Sequence, residues 1–346
     1  MTMTFYPIPK RPLEFLKACP VYAQTPIIEL PANASVQIIA KDETNRMQLG
    51  AFKALGGVYA VAALIAEAYE RENGRKITPD RFLTDSFQAT AKEMTFVCAS
   101  AGNHGMSVAA GAKIFGAKSR IHLAKSVPES FADRLREKGA EVIWSGDIYE
   151  ESMAASVKDS EDTEALLLSD GSWDGYTYPP SLVMEGYTVM AEEMREHFEK
   201  NDGWPDYVFL QAGVGGLAAA IAHMIRENWS KQPEIIVVEP TAAPCLAESV
   251  KRGEMVEVKG PVSEMGRLDC KIPSLIAFES LQKTADHYVA ITDEEALTGI
   301  NYAKAEGIGT THSGAAGLGA ILASSRLGIT LTHGSTALVI LSEGTV

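Results

Sequence analysis

The chain is 346 residues long, and 45 acidic against 31 basic side chains give it a formal net charge of −14. So acidic a chain lacks the basic face that nucleic acids and anionic membranes need, which argues against both as partners. With 46% apolar and 22% charged residues the composition is that of an ordinary folded protein, and the length suits about two domains of roughly 100–200 residues.

The N-terminal stretch MTMTFYPIPKRPLEF lacks the charged-then-apolar pattern of a secretory signal. No window reaches about 18 uninterrupted apolar residues, so no membrane span is expected. The first strong helical pattern covers 53–73. It is followed by the strand TFVCAS, a helix over 104–115, the strand RIHLA, a helix over 129–138 and the strand EVIWSG. Capping-box patterns, in which a Ser or Thr side chain and a Glu three residues later satisfy each other's backbone N–H, stand at Ser126–Glu129 and Thr292–Glu295. The tract 146–180 is polar and reads as turn-rich. Beyond it come the strand YVFLQAG, a helix over 216–227, the strands EIIVVEP and HYVAIT, a helix over 293–306, and the strand ALVILSEG. Short apolar strands alternating with helices predict an α/β protein whose sheets are open, mostly parallel and flanked by helices. The predicted division is a large domain of 1–93 plus 176–346 and a smaller βαβ domain of 94–175. Cys19, Cys98, Cys245 and Cys270 have no metal-ligand spacing, so no metal is expected, and free thiols point to the reducing cytoplasm.

Four motifs have the residue types for chemistry. Lys53 opens the first helix; facing inward it would be a Schiff-base nucleophile, facing outward an ordinary snorkelling lysine. In CASAGNHGMS a strand runs through Ser100, Ala101, Gly102, Asn103 and His104 into a helix. Such a turn suits either an anion at the helix N-terminus or a plain tight turn with a capping Asn. In LQAGVGGLAAAIA a strand meets Gly213, Val214, Gly215, Gly216 and Leu217, a loop whose bare backbone N–H groups can cradle a phosphate. It is not a Walker loop, because no Gly-Lys-Ser/Thr follows. The strand ALVILSEG ends at Ser342, placed either to meet a ring nitrogen or simply to terminate a strand.

Taken together and in order, these four pieces resemble the pyridoxal-phosphate enzymes of the tryptophan-synthase β type (fold type II) over nearly the whole chain. The likeness is closest to the diaminopropionate ammonia-lyase family. It shares Ala51-Phe52-Lys53, a segment Asp170-Gly171-Ser172-Trp173-Asp174-Gly175-Tyr176, the pair Gly186-Tyr187 and Cys270-Lys271-Ile272-Pro273. The chain departs from that family at Ala101, where an aspartate is usual, and at His312, where a glutamate is usual.

The resemblance implies a lyase that removes the α-proton and β-substituent of a small amino acid, giving an α-keto acid and ammonia, with 2,3-diaminopropionate as substrate and the L-isomer favoured. The alternatives are a serine, threonine or hydroxyaspartate dehydratase and, after it, a β-replacement synthase. The resemblance also implies residue roles. Lys53 carries pyridoxal 5'-phosphate, Asn103 meets its phenolic oxygen, Gly213, Val214, Gly215, Gly216 and Leu217 hold its phosphate, and Ser342 faces its ring nitrogen. Ser100, Ala101, Gly102 and His104 hold the substrate carboxylate, and Asp170 or Lys53 takes the α-proton. Cys270 is expected as a wall of the site, and a homodimer is the expected assembly. Without the resemblance, Asp170 would read as a turn residue.

Overall fold

A computed structural model describes residues 5–8, 10–33 and 36–345. It contains strands β1 (Ile27–Asn33), β2 (Val36–Asp42), β3 (Thr95–Ala99), β4 (Lys118–Leu123), β5 (Glu141–Trp144), β6 (Leu166–Leu167), β7 (Tyr207–Gln211), β8 (Glu234–Pro240), β9 (His287–Ile291) and β10 (Thr336–Leu341). Six form a sheet in the order β1-β2-β10-β7-β8-β9, and four form a second in the order β5-β4-β3-β6. Only the edge pair β1–β2 is antiparallel; the other described pairs run parallel. The central strands are apolar because helices cover both faces: every residue of β7 is buried, as are five of the six in β10.

Strand order brings distant segments together. The last strand, β10, lies between β2 and β7, with Leu341 level with Asp42. The carboxyl ends of β2, β10 and β7 therefore open side by side, which is where parallel sheets bind ligands. In the second sheet β3 pairs with β6, and the loops that follow them, at Ser100 and Leu168, are neighbours.

The helix Lys53–Asn73 is the central support. It is buried on nearly every side, so its apolar pattern is not one stripe. Its glycines permit this. A Cβ on Gly56 would overlap the Tyr187 ring at 2.4 Å, and one on Gly57 would overlap Ser107 Oγ at 2.0 Å. The helices Tyr178–Asn201 and Asn103–Phe115 thus press closely on its two sides.

Most predicted helices lie within a residue of their expected bounds, at Asn103–Phe115, Glu129–Glu137, Gly216–Asn228 and Asp293–Ala305. The capping box at Thr292 forms, with Thr292 Oγ1 accepting from Glu295 N and Thr292 N donating to Glu295 Oε2. The one expected at Ser126 does not. Pro128, extended at ψ 141°, is the N-cap there and leaves Ser126 outside the helix. The tract 146–180 is less irregular than its composition suggests, since it contains the helix Tyr149–Asp162 and β6. No helix of the described residues is long and apolar enough to cross a membrane.

Candidate active site

Where the two sheets face each other, their loops enclose a cavity of about 390 Å³, within the roughly 300–1,000 Å³ range of small-molecule sites. Every residue named from the sequence for the site lines it: Lys53, Ser100 through His104, Asp170, Gly213 through Leu217, and Ser342. Cys270 lines it too, whereas His312 is not among the lining residues.

Lys53 is the first residue of its helix, and Asp170 follows β6 on the opposite sheet. Lys53 Nζ donates to Asp170 Oδ2 in a short, charge-assisted contact, with each side chain 22% exposed. Burial acts to lower the lysine's pKa, but the Asp170 charge outweighs it and holds the ammonium above its ordinary value. Burial likewise acts to raise the Asp170 carboxyl, and Lys53 followed by His104 overrides it, holding the carboxyl well below the usual carboxylate range. The pair therefore stands as ammonium and carboxylate, and Asp170, which its local sequence alone suggested as a turn residue, lines the cavity beside Lys53.

The loop after β3 gives a second wall. Gly102 is the N-cap of the helix Asn103–Phe115 and is extended, with no side-chain cap. Asn103 turns its amide to Glu343, with Nδ2 donating to Oε2 at 2.5 Å. Glu343 Oε1 also accepts from Thr311 Oγ1 at 2.6 Å. Above them Arg267 Nη1 donates to Ala101 O at 3.2 Å, and its Nε lies 3.9 Å from Glu343 Oε2. These contacts join the two sheets across the cavity. The His104 ring turns away from the loop, its Nε2 lying 2.7 Å from Leu168 O while Nδ1 is buried without a partner. Burial acts to lower its pKa, with the Asp170 charge opposing it.

The glycine loop after β7 forms the third wall. Gly215 has φ 99°, a left-handed conformation that favours glycine, and it caps the helix Gly216–Asn228 with no side-chain partner. A Cβ on Gly213 would come within 2.9 Å of Cys270 Sγ and 3.0 Å of Arg267 O. The loop is thus a bare-backbone surface at a helix N-terminus, the arrangement an anionic phosphate requires. Ser342, just past β10, is buried and on the cavity. Cys270 is a wall with little nucleophilic character, its thiol pushed up to about 12 by burial first and by the Asp170 charge second. An inward lysine amine, a phosphate cradle and a serine at the end of the central strand fit pyridoxal phosphate.

Glu343, Arg267, Gln211 and Tyr149 also line the cavity and carried no sequence signal strong enough to name them. Glu343 had one available, as the neighbour of Ser342 in LSEG. Arg267 lies in an irregular stretch without a motif.

A family model described as pyridoxal-phosphate dependent enzyme matches residues 19–343. The chain is 31% identical over 317 residues to the diaminopropionate ammonia-lyase of Escherichia coli (strain K12), covering 87% of this chain and 77% of that protein. It is 27% identical over 281 residues to the L-threonine ammonia-lyase of Thermotoga maritima, covering 80% and 61% respectively. Among solved structures, the E. coli diaminopropionate ammonia-lyase in complex with an aminoacrylate-PLP azomethine reaction intermediate superposes with a TM-score of 0.85. It is 28% identical, over 99% of this chain and 92% of that one. The same enzyme in complex with D-serine superposes at 0.83 with 27% identity, over 99% and 92%.

Proposed function

This chain belongs to the pyridoxal-phosphate dependent enzymes, and we propose from that premise that it is an ammonia-lyase acting on 2,3-diaminopropionate, the L-isomer favoured. The observation that carries the reading is the ion pair of Lys53 and Asp170, standing between a glycine cradle and an anion-binding loop.

Pyridoxal phosphate, when bound, withdraws electrons from the Cα of the amino acid it holds. Lys53 is the amine that holds it, the 213–217 loop takes its phosphate, Ser342 meets its ring nitrogen and Asn103 its phenolic oxygen. The Ser100–His104 segment offers backbone donors at the start of a helix for the substrate carboxylate. Lys53 and Asp170 are within hydrogen-bond reach of each other, so a proton taken from Cα by one passes directly to the other. Arg267 and Glu343 bridge the sheets above and keep the loop in register.

The charge state of the pair bears on the leaving group. A hydroxyl must be protonated to depart, whereas a β-ammonium carries its own proton and leaves as neutral ammonia. Asp170 is held ionised, so in the resting pair only the Lys53 ammonium could protonate a leaving hydroxyl, a need that a β-amino substrate does not have. The second reading, a hydroxyamino-acid dehydratase, is favoured by the L-threonine ammonia-lyases among the relatives. A panel of both enantiomers of 2,3-diaminopropionate, serine, threonine and 3-hydroxyaspartate, assayed for ammonia and keto acid, decides between them. A kcat/KM higher for serine or threonine than for diaminopropionate would replace the first reading with the second.

We further propose a cytoplasmic homodimer with a large domain of 1–93 plus 176–346 and a smaller one of 94–175. Sedimentation of the purified protein tests the assembly. The free thiols support the compartment.

A further inference from the structure

Arg267 is held at both ends. Its backbone N–H donates to Ser313 Oγ at 3.0 Å, and its carbonyl backs the glycine loop, where a Cβ on Gly213 would fall 3.0 Å from it. Its guanidinium crosses to the loop of the other sheet. There Nη1 donates to Ala101 O at 3.2 Å, and a Cβ on Gly102 would stand 2.9 Å from the same nitrogen. The side chain is 44% exposed and lines the cavity. A guanidinium carries five N–H groups, and beyond the bond to Ala101 O those of Arg267 have no hydrogen-bond partner among the described residues. Ala101 offers a carbonyl but no charge. Of the other lining carboxylates, Asp170 is paired with Lys53 and Asp269 with Lys271. Glu343 Oε2 lies 3.9 Å from Arg267 Nε, beyond hydrogen-bond distance, and the two Glu343 oxygens accept from Asn103 and Thr311.

We propose that Arg267 is a specificity-determining residue that grips the α-carboxylate of the amino-acid substrate, its spare N–H groups closing on a carboxylate seated on the backbone donors of the Ser100–His104 loop. The guanidinium already lies against Gly102, the N-cap of the helix Asn103–Phe115, so an anion at that helix start has it as a neighbour. Its planar fork matches the two oxygens of a carboxylate, which an ammonium does not. Lys53 and Arg267 are the lysine and arginine that line the cavity, and Lys53 is committed to Asp170. Gly102 fits the same purpose, because any side chain there would displace the guanidinium from the loop.

The inference rests on the pyridoxal-phosphate reading, and the test separates the two. Holoprotein of the parent and of Arg267→Gln is titrated with glycine and with glycinamide, and the visible absorbance of the cofactor is followed. Glycine has no β-substituent to lose, so binding is read without turnover, and glycinamide differs from it by lacking the carboxylate. Arg267→Gln should weaken glycine about tenfold to a hundredfold, the usual worth of hydrogen bonds to a charged group, and should leave glycinamide unchanged. Unchanged glycine affinity would overturn the assignment. Equal weakening of both ligands would overturn it too, since Arg267 would then serve only to hold the loop through Ala101 O. A parent that holds cofactor yet binds no glycine would refute it as well, whereas a parent without cofactor absorbance would remove the pyridoxal-phosphate reading and this inference with it. Should the variant fail to fold, the parent supplies a second measurement. Phenylglyoxal modifies arginine, and glycine but not glycinamide should slow its reaction at Arg267, read by mass spectrometry of the peptides. Modification at the same rate with either ligand would again refute the proposal.

Discussion

Lys53 and Asp170 are separated by 117 residues, yet they form the charged pair at the bottom of the cavity. Each controls the other's protonation, so each substitution has a distinct expected outcome. Lys53→Ala should abolish the visible absorbance of bound cofactor together with turnover, and an unchanged spectrum would refute its role as the cofactor-bearing amine. Asp170→Asn should keep that absorbance and lower kcat by roughly 10²–10⁴-fold, the usual worth of a general base. If Asp170 only shaped a turn, Asn would be nearly silent, since it fits turns equally well. The same pair bears on stereochemistry. Proton transfer from either face of Cα needs a base on each, and the position that is an aspartate in the resembling family is Ala101, whose backbone oxygen is occupied by Arg267. With Lys53 and Asp170 acting as one proton station, as proposed, the L-isomer of diaminopropionate should turn over well ahead of the D-isomer. Equal rates on the two would show a second base at work, with the Glu343 carboxylate as the first group to examine.

At the scale of elements, the glycine loop combines two demands in a few residues. Gly215 holds φ 99°, and a Cβ there would stand 3.0 Å from Leu246 Cδ1 and 3.1 Å from Ala277 Cβ. Gly215→Asp therefore brings backbone strain, crowding and a carboxylate beside the phosphate, and the variant should lose cofactor on dialysis under conditions in which the parent keeps it. The capping box at Thr292 is remote from this chemistry and gives a contrasting result. Removing its hydroxyl frees the N–H of Glu295, so Thr292→Ala should lower stability by about 1 kcal/mol in a urea titration while kcat stays at the parental value. The failed box at Ser126 shows what a four-residue pattern omits. A proline in an extended conformation takes the N-cap position, so the helix begins at Glu129 whatever the serine offered.

Across the whole molecule, a buried ion cluster ties the segment leading to Lys53 to the rest of the fold. Lys41 on β2 and Arg46 in the following loop both bind Glu193 of the helix Tyr178–Asn201, at 2.6 and 2.7 Å, and Arg46 also holds Glu43 at 2.6 Å. These four side chains are 0–3% exposed. Breaking such a cluster strands charge in the interior. Glu193→Ala should cost about 3–5 kcal/mol, read as a lowered urea midpoint, and a loss below 1 kcal/mol would mean that water reaches the two cations.

Some of this protein was legible in the chain alone. Alternating apolar strands and helices gave the parallel α/β class, because burial on both faces imposes continuous apolar strands on a sequence. Lys53, the Ser100–His104 turn and the glycine loop were legible because each chemistry demands particular residues at short spacing. Asp170 entered only through a family likeness, since DGSWDG by itself is turn-like. Strands β1 and β6 were missed because a half-exposed edge strand and a strand of two residues carry little periodic signal, whereas β2, an interior strand, was missed although its run Ile38-Ile39-Ala40 is buried and apolar. Other features arise only from tertiary structure. The insertion of β10 between β2 and β7 sets Ser342 and Glu343 beside the Lys53 loop, and the pairing of β3 with β6 brings Asp170 toward the Asn103 turn. Contacts such as Glu343 with Asn103, 240 residues apart, follow from strand order, and strand order is fixed by how whole sheets and helices bury one another rather than by any local pattern of residues.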